Sequence, residues 1–145
     1  MLNFLEDAIN AYYVGEHEIA IECIHEVDYA LREIEEPNSI EKELVDFVDD
    51  ITYAHKHKNY NDALLYAKMA IDLTTLPIVE GYRYNEAGLN TVSTEIDKHT
   101  NTPIDGDNPI ECIEWDIKYR KLRGRLTKLL IADHRARFGE YALLA

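Results

Sequence analysis

The chain has 145 residues, 46% of them apolar, with only six glycines and four prolines. That length suffices for a domain with its own core, and that composition excludes a disordered tract or a collagen-like repeat. A formal net charge of -13 disfavours non-specific attachment to nucleic acid or to an anionic membrane surface.

The opening MLNFLEDAIN places Glu6 and Asp7 where a secretory leader would be basic and then apolar. No run approaches the roughly 20 apolar residues of a membrane span, so no membrane association is expected. Cys23 and Cys112 lie far apart, outside any CxxC spacing and at apolar helical positions. Free thiols in a reducing compartment follow, and the expected location is cytoplasmic.

Helix formers dominate and few β-branched runs exist, so an all-α fold of about six helices is expected. Asn3, with Glu6 three residues on, predicts the cap of a first helix closing at Gly15. Its apolar face is Phe4, Leu5, Ala8, Ala11 and Tyr12. A second helix is predicted from Glu16 to about Glu36, with the stripe Ala20, Cys23, Ile24, Val27, Ala30, Leu31 and Ile34. Pro37 ends it. Asn38 and Glu41 repeat the cap signature and open a third helix to about Lys58, with Leu44, Phe47, Val48, Ile51 and Ala54 on one face. The fourth helix, roughly 60–74, has Asn59 and Asn61 before it and Pro77 after it. Its Ala63, Ala67, Ala70 and Ile71 form a narrow stripe that allows close helix approach.

Superposing the first pair on the second gives a period of 43. Phe4 falls on Phe47, Ala8 on Ile51, Ala11 on Ala54, Tyr12 on His55, Ala20 on Ala63, Ile24 on Ala67 and Val27 on Ala70. The chain therefore carries a repeated helical hairpin.

Beyond Pro77, IVEGYRYNEAGLN turns before a shorter helix from about Asn85 to Lys98. HTNTPIDGDNP is a loop. Asn108, Pro109 and Glu111 then give cap, first position and third position of a last helix reaching about Gly139. Cys112, Trp115, Tyr119, Leu122, Leu126 and Leu129 alternate steps of three and four, a coiled-coil-like seam. Gly124 interrupts it at a propensity cost of about 1 kcal/mol, which suggests a close backbone approach or a bend. The expected organisation is one all-helical domain over 1–145, with two hairpins at 2–77 and C-terminal helices at 84–142.

At AYYVGEHEIAI (11–21) and NYNDALLYAKMAI (59–71) the chain resembles a tetratricopeptide-type repeat, over about residues 2–77. Ala63 and Ala70 match that family's small-residue positions. The period of 43 exceeds the family's 34, and Lys58 stands where the first unit has Gly15. The resemblance implies a helical scaffold that binds proteins through a concave or grooved face, without catalysis.

Charge is polarised along the sequence. Residues 1–50 hold 15 Asp and Glu against Arg32 and Lys42, whereas residues 51–145 hold 13 acids and 13 bases. Lys118, Arg120, Lys121, Arg123, Arg125, Lys128, Arg135 and Arg137 gather near the C-terminus, with Asp133 the acid between them. The leading reading is a non-catalytic adapter or inhibitor that binds a basic protein surface. Its contact residues would be Glu16, Glu18, Glu26, Glu33, Glu35, Glu36, Asp46, Asp49 and Asp50, in the manner of inhibitors that mimic nucleic acid. No cofactor and no catalytic residue belong to this reading. Homo-oligomers joining the acidic front to the basic last helix fit the same polarity.

Two alternatives remain. Glu22, Glu26, Glu43 and Asp46 form E-x3-E and E-x2-D, spacings that put each pair on one helix face, where antiparallel helices could aim all four at Mg2+. ELVDFVDDITYA resembles the all-α nucleotide pyrophosphatases of the MazG type, whose pattern is E-E-x-x-E followed by E-x-x-D. Cys23 stands at the middle glutamate. That resemblance implies magnesium-dependent NTP pyrophosphatase activity on those carboxylates. The second alternative is nucleic-acid binding by the basic helix, with Trp115 and Tyr119 for stacking. The whole-chain charge opposes it.

Overall fold

A computed structural model describes residues 1–139 and 142–143, and among these there is no strand. Six helices follow one another: α1 (Leu2–Tyr13), α2 (His17–Arg32), α3 (Ser39–Lys56), α4 (Tyr60–Thr75), α5 (Glu86–Asn101) and α6 (Pro109–Phe138). The all-α expectation holds. None of these helices is long and apolar enough to cross a membrane.

Asparagine caps set most of the starts. Asn38 closes a full capping box with Glu41, each side chain bonded to the other's backbone N–H at 2.8 and 2.9 Å. Asn59, Asn85 and Asn108 accept backbone N–H groups at the heads of α4, α5 and α6. The first helix departs from expectation. It begins at Leu2 with Met1 at the cap position and no side-chain cap bond, so Asn3 already lies inside the helix. The second stops at Arg32 rather than Glu36. Helix geometry is lost across the Glu33–Glu36 run ahead of Pro37, which disfavours α conformation in the residue before it.

The chain expected as one domain over 1–145 is built as two compact units, Met1–Ile78 with Ala142 and Leu143, and Val79–Gly139. Residues 140 and 141 of the expected 84–142 region, and 144 and 145 of the expected domain, lie outside the described residues.

In the first unit α1 packs on α2 and α4, and α3 packs on α4 and α2. The four helices thus close a ring. Side-by-side stacking of hairpins, which the tetratricopeptide resemblance implies, would instead lay α1 against α3. A rotation that exchanges α1 with α3 and α2 with α4 carries the α1–α4 pair onto the α3–α2 pair. The 43-residue repeat is therefore folded as a pseudo-two-fold bundle. Equivalent positions are buried alike: Ala8 and Ile51, Ala20 and Ala63, Ile24 and Ala67, and Val27 and Ala70 are all at 0% exposure. Phe4 and Ala30 depart from the expected stripes and face solvent.

The second unit is an α5–α6 pair around Val92, Ile96 and Leu122, flanked by Tyr119, Leu126 and Leu129. Most of the predicted α6 seam is thereby placed against α5.

The repeat extends to the turn backbones. Glu16 N–H donates to Ala11 O at 2.9 Å and Gly15 N–H to Tyr12 O at 3.2 Å, a Schellman ending for α1. Asn59 to Ala54 at 2.8 Å and Lys58 to His55 at 2.9 Å repeat it after α3. Both central residues have positive φ, +79° at Gly15 and +59° at Lys58. Lys58 holds a left-handed conformation that its Cβ opposes. Lys58→Gly is expected to stabilise the protein by about 0.5–1 kcal/mol, and Gly15→Ala to destabilise it by a similar amount. Urea denaturation monitored by circular dichroism measures both, and the same sign for the two substitutions would refute the assignment.

Candidate functional site

Three places in the molecule concentrate functional side chains. The first is a ring of aromatic and imidazole groups where α1 ends, α2 begins, α3 ends and α4 begins. The Tyr12 hydroxyl meets His55 Nδ1 at 2.9 Å. His17 stacks on Tyr60 with centroids 3.6 Å apart and planes 18° from parallel, and His55 meets the edge of Tyr60 at 5.2 Å. The Tyr12–His55 and His17–Tyr60 pairs each join equivalent positions of the two repeats, 43 residues apart. Sequence superposition already aligned Tyr12 with His55; it gave no sign that they touch.

Burial, with the Tyr60 and Glu18 charges, pushes the Tyr12 phenol up to about 12, so it keeps its proton at neutral pH and donates to Nδ1. Burial likewise pushes the His55 imidazole down; His17 and His25 act in the same direction, and Glu18 opposes them. Neutral His55 accepting from Tyr12 is the form the fold selects. Protonation would place a hydrogen on Nδ1 and reverse that bond, with the phenol oxygen then accepting.

The second place is the acidic surface of α2, α3 and the connection between them. Glu16, Glu18, Glu26, Glu33, Glu35, Glu36, Asp46, Asp49 and Asp50 are all exposed. Arg32 is bound by Asp28 at 2.9 Å and approaches Asp49 at 3.6 Å. Among the described residues, the first seven of those nine acids make no ion pair. Half-buried Cys23 lies among carboxylates of α1 and α2: burial raises its thiol pKa, and Asp7, Glu22 and Glu26 raise it further.

The magnesium set of the pyrophosphatase alternative lies on the same two helices, with Glu22, Glu26 and Asp46 exposed and Glu43 half-buried. Among the described residues, no three His, Cys, Asp or Glu side chains gather closely enough to hold a metal ion. The spacing that suggested a shared cation is thus not converted into a donor cluster.

The third place is α6. Arg125 pairs with Glu95 of α5 at 2.9 Å and Arg120 with Asp116 at 3.0 Å. Trp115 and Tyr119, the residues of the nucleic-acid alternative, stack on each other at 5.2 Å, and Trp115 stacks on His99 at 4.7 Å. His99 Nε2–H donates to the Trp115 carbonyl at 2.9 Å, and the indole N–H returns a bond to the His99 carbonyl at 3.3 Å. These ring faces serve the α5–α6 joint. Asp133, lone among the basic residues, accepts the Tyr82 hydroxyl at 2.7 and 2.8 Å and so ties the 79–85 segment to α6. Burial and that carboxylate push the Tyr82 phenol up.

No family model, no curated protein and no solved structure matches the chain.

His55 is expected to titrate below the ordinary imidazole value of about 6.5. Because its folded-state pKa is depressed, its contribution to stability is present above the unfolded value and lost as pH falls through the folded one. Proton NMR titration of the His55 ring follows this directly. Glu18→Gln should move the midpoint lower still, and an upward move would contradict the electrostatic account. A second check is Cys23: Glu22→Gln with Glu26→Gln should speed its alkylation by iodoacetamide at pH 7.5, with Cys112 as the reference thiol. An unchanged rate ratio would show that those carboxylates do not act on Cys23.

Proposed function

We propose that this protein is a non-catalytic interaction module, an adapter or inhibitor, that binds a protein partner through the acidic surface of α2 and α3. The observation that carries the proposal is uncompensated charge on an ordered scaffold. Residues 1–78 contain 17 Asp and Glu against five Lys and Arg, while residues 79–139 contain ten of each. Glu18, Glu26, Asp46, Asp49 and Asp50 are held on helices with buried inner faces, which fixes their spacing, while Glu16, Glu33, Glu35 and Glu36 lie in the segments flanking α2.

Self-repulsion among such charges works against folding. Leaving Glu16, Glu18, Glu26, Glu33, Glu35, Glu36 and Asp46 without an ion pair is therefore a cost that a basic partner would relieve. An electrostatic contact of this kind gives fast association and discriminates by sign more than by area. Lysine-rich or arginine-rich protein grooves, including those that receive nucleic acid, are the matching chemistry.

The test is a tagged pull-down from lysate at about 50 and 500 mM salt, with bound proteins read by mass spectrometry and nucleic acid stained in parallel. The expected result is a stoichiometric basic protein released at the higher salt. Neutralising Glu26, Asp46 and Asp49 together to Gln and Asn should weaken capture by about tenfold or more. A captured protein indifferent both to salt and to this triple change would overturn the acidic-surface reading. Magnesium-dependent release of pyrophosphate from a nucleotide, lost in Glu43→Gln, would instead establish the enzymatic alternative.

A further inference from the structure

One short stretch of α4 is enclosed on every side. Met69, Ala70, Ile71, Asp72 and Leu73 are all buried, and five consecutive residues point around the whole circumference of a helix. α1 and α3 pack on α4 and cover part of that circumference. Further cover comes from beyond α6, where the chain returns to the first unit. Ala142 is 6% exposed there, and the Leu143 N–H donates to Asp72 Oδ2 at 2.8 Å.

Asp72 is 2% exposed and stands between Ile71 and Leu73. A carboxylate in such a place costs desolvation, and a hydrophobic residue of like volume often serves stability as well or better. What the carboxylate holds here is a backbone N–H, a group that every residue but proline offers whatever its side chain. Helical spacing puts Leu65, Met69 and Leu76 along the Asp72 face, so the polar anchor sits in an apolar strip. The described part of the incoming segment is lightly held. Ala142 buries one methyl group, and Leu143 is 52% exposed.

We propose that the segment carrying Ala142 and Leu143 is a detachable strap, a peptide ligand held within the chain, and that its seat on the Asp72 face of α4 is a peptide-binding site. The four helices of the ring pack directly on one another, so the strap can leave without unfolding them. The seat takes a small side chain followed by a residue with a free backbone N–H. Ala142 fits because its side chain ends at Cβ, and the next N–H reaches the carboxylate. Proline in that next position is excluded, since it has no N–H. The seat lies on α4, apart from the acidic surface of α2 and α3, and is independent of the reading of that surface.

Hydrogen exchange of the intact chain, followed residue by residue by NMR, tests the strap. The Leu143 amide should exchange more slowly than in a free peptide, yet about tenfold or more faster than the amides of Ala70 and Ile71, through an opening that leaves α4 protected. Exchange at the free-peptide rate would show that the segment is not seated, and exchange as slow as at Ala70 and Ile71 would make it part of the core. Either result overturns the proposal. A fluorescent peptide of residues 138–145 tests the seat. The tethered strap competes at an effective concentration on the order of mM, so the intact chain should bind the peptide weakly. Ala142→Asp puts a charge where a methyl group is buried and should raise peptide affinity by about tenfold or more, with circular dichroism unchanged. Adding Asp72→Leu should abolish that gain, and a peptide carrying Leu143→Pro should not bind. No gain in Ala142→Asp, or a gain indifferent to Asp72→Leu, overturns the peptide site. The exchange experiment needs no substitution and decides even where Ala142→Asp fails to fold.

Discussion

The first unit turns on a contact between residues that the repeat makes equivalent. Tyr12 bonds to His55 and His17 stacks on Tyr60, so the pseudo-two-fold axis passes through an imidazole–phenol cluster. On such an axis each residue faces its own counterpart, Tyr against His and His against Tyr, and at Tyr12–His55 a phenol hydroxyl meets an imidazole nitrogen at 2.9 Å. Without a complementary pair there, the ends of α1 and α3 would bring polar ring atoms together with no partner, at a cost of about 1–3 kcal/mol for each buried group.

The charge distribution is a consequence of the same closure. Four helices in a ring turn their small and aliphatic residues inward, Ala63, Ala67 and Ala70 among them, and leave everything else on the outside. The outside of α2 and α3 carries most of the unit's acids, alongside exposed Ile19, Tyr29, Ile40 and Tyr53, with Arg32 drawn between Asp28 and Asp49. The second unit neutralises itself instead, through pairs such as Arg125 with Glu95. A polarity visible along the sequence therefore becomes a property of two separately built units. That is why the acidic surface, and not the basic helix, supports the interaction proposal.

Much of the architecture was legible because its causes are local. Asn38, Asn59, Asn85 and Asn108 each announce a helix start through a side chain that bonds within three residues, and the structure uses all four as caps. The same pattern misleads at Asn3, because α1 begins at Leu2 and the asparagine already lies inside its first turn. The period of 43 was legible from residue types alone. Whether the repeat stacks or closes was not, since both arrangements bury the same stripes. The aromatic cluster was half-visible: alignment paired Tyr12 with His55 but carries no distance. The magnesium pattern shows the converse failure, because helical spacing puts two carboxylates on one face without saying that two faces converge.

Gly124 is where local and tertiary logic part. Read within one helix it only weakens helix propensity, and a neighbour pressed close to its backbone would justify it. The structure offers no such neighbour from the chain itself. Ile117, Ile113 and Ile110, about two, three and four turns earlier, are exposed on the same face. A two-helix unit with a core of Val92, Ile96 and Leu122 has little apolar surface to spare.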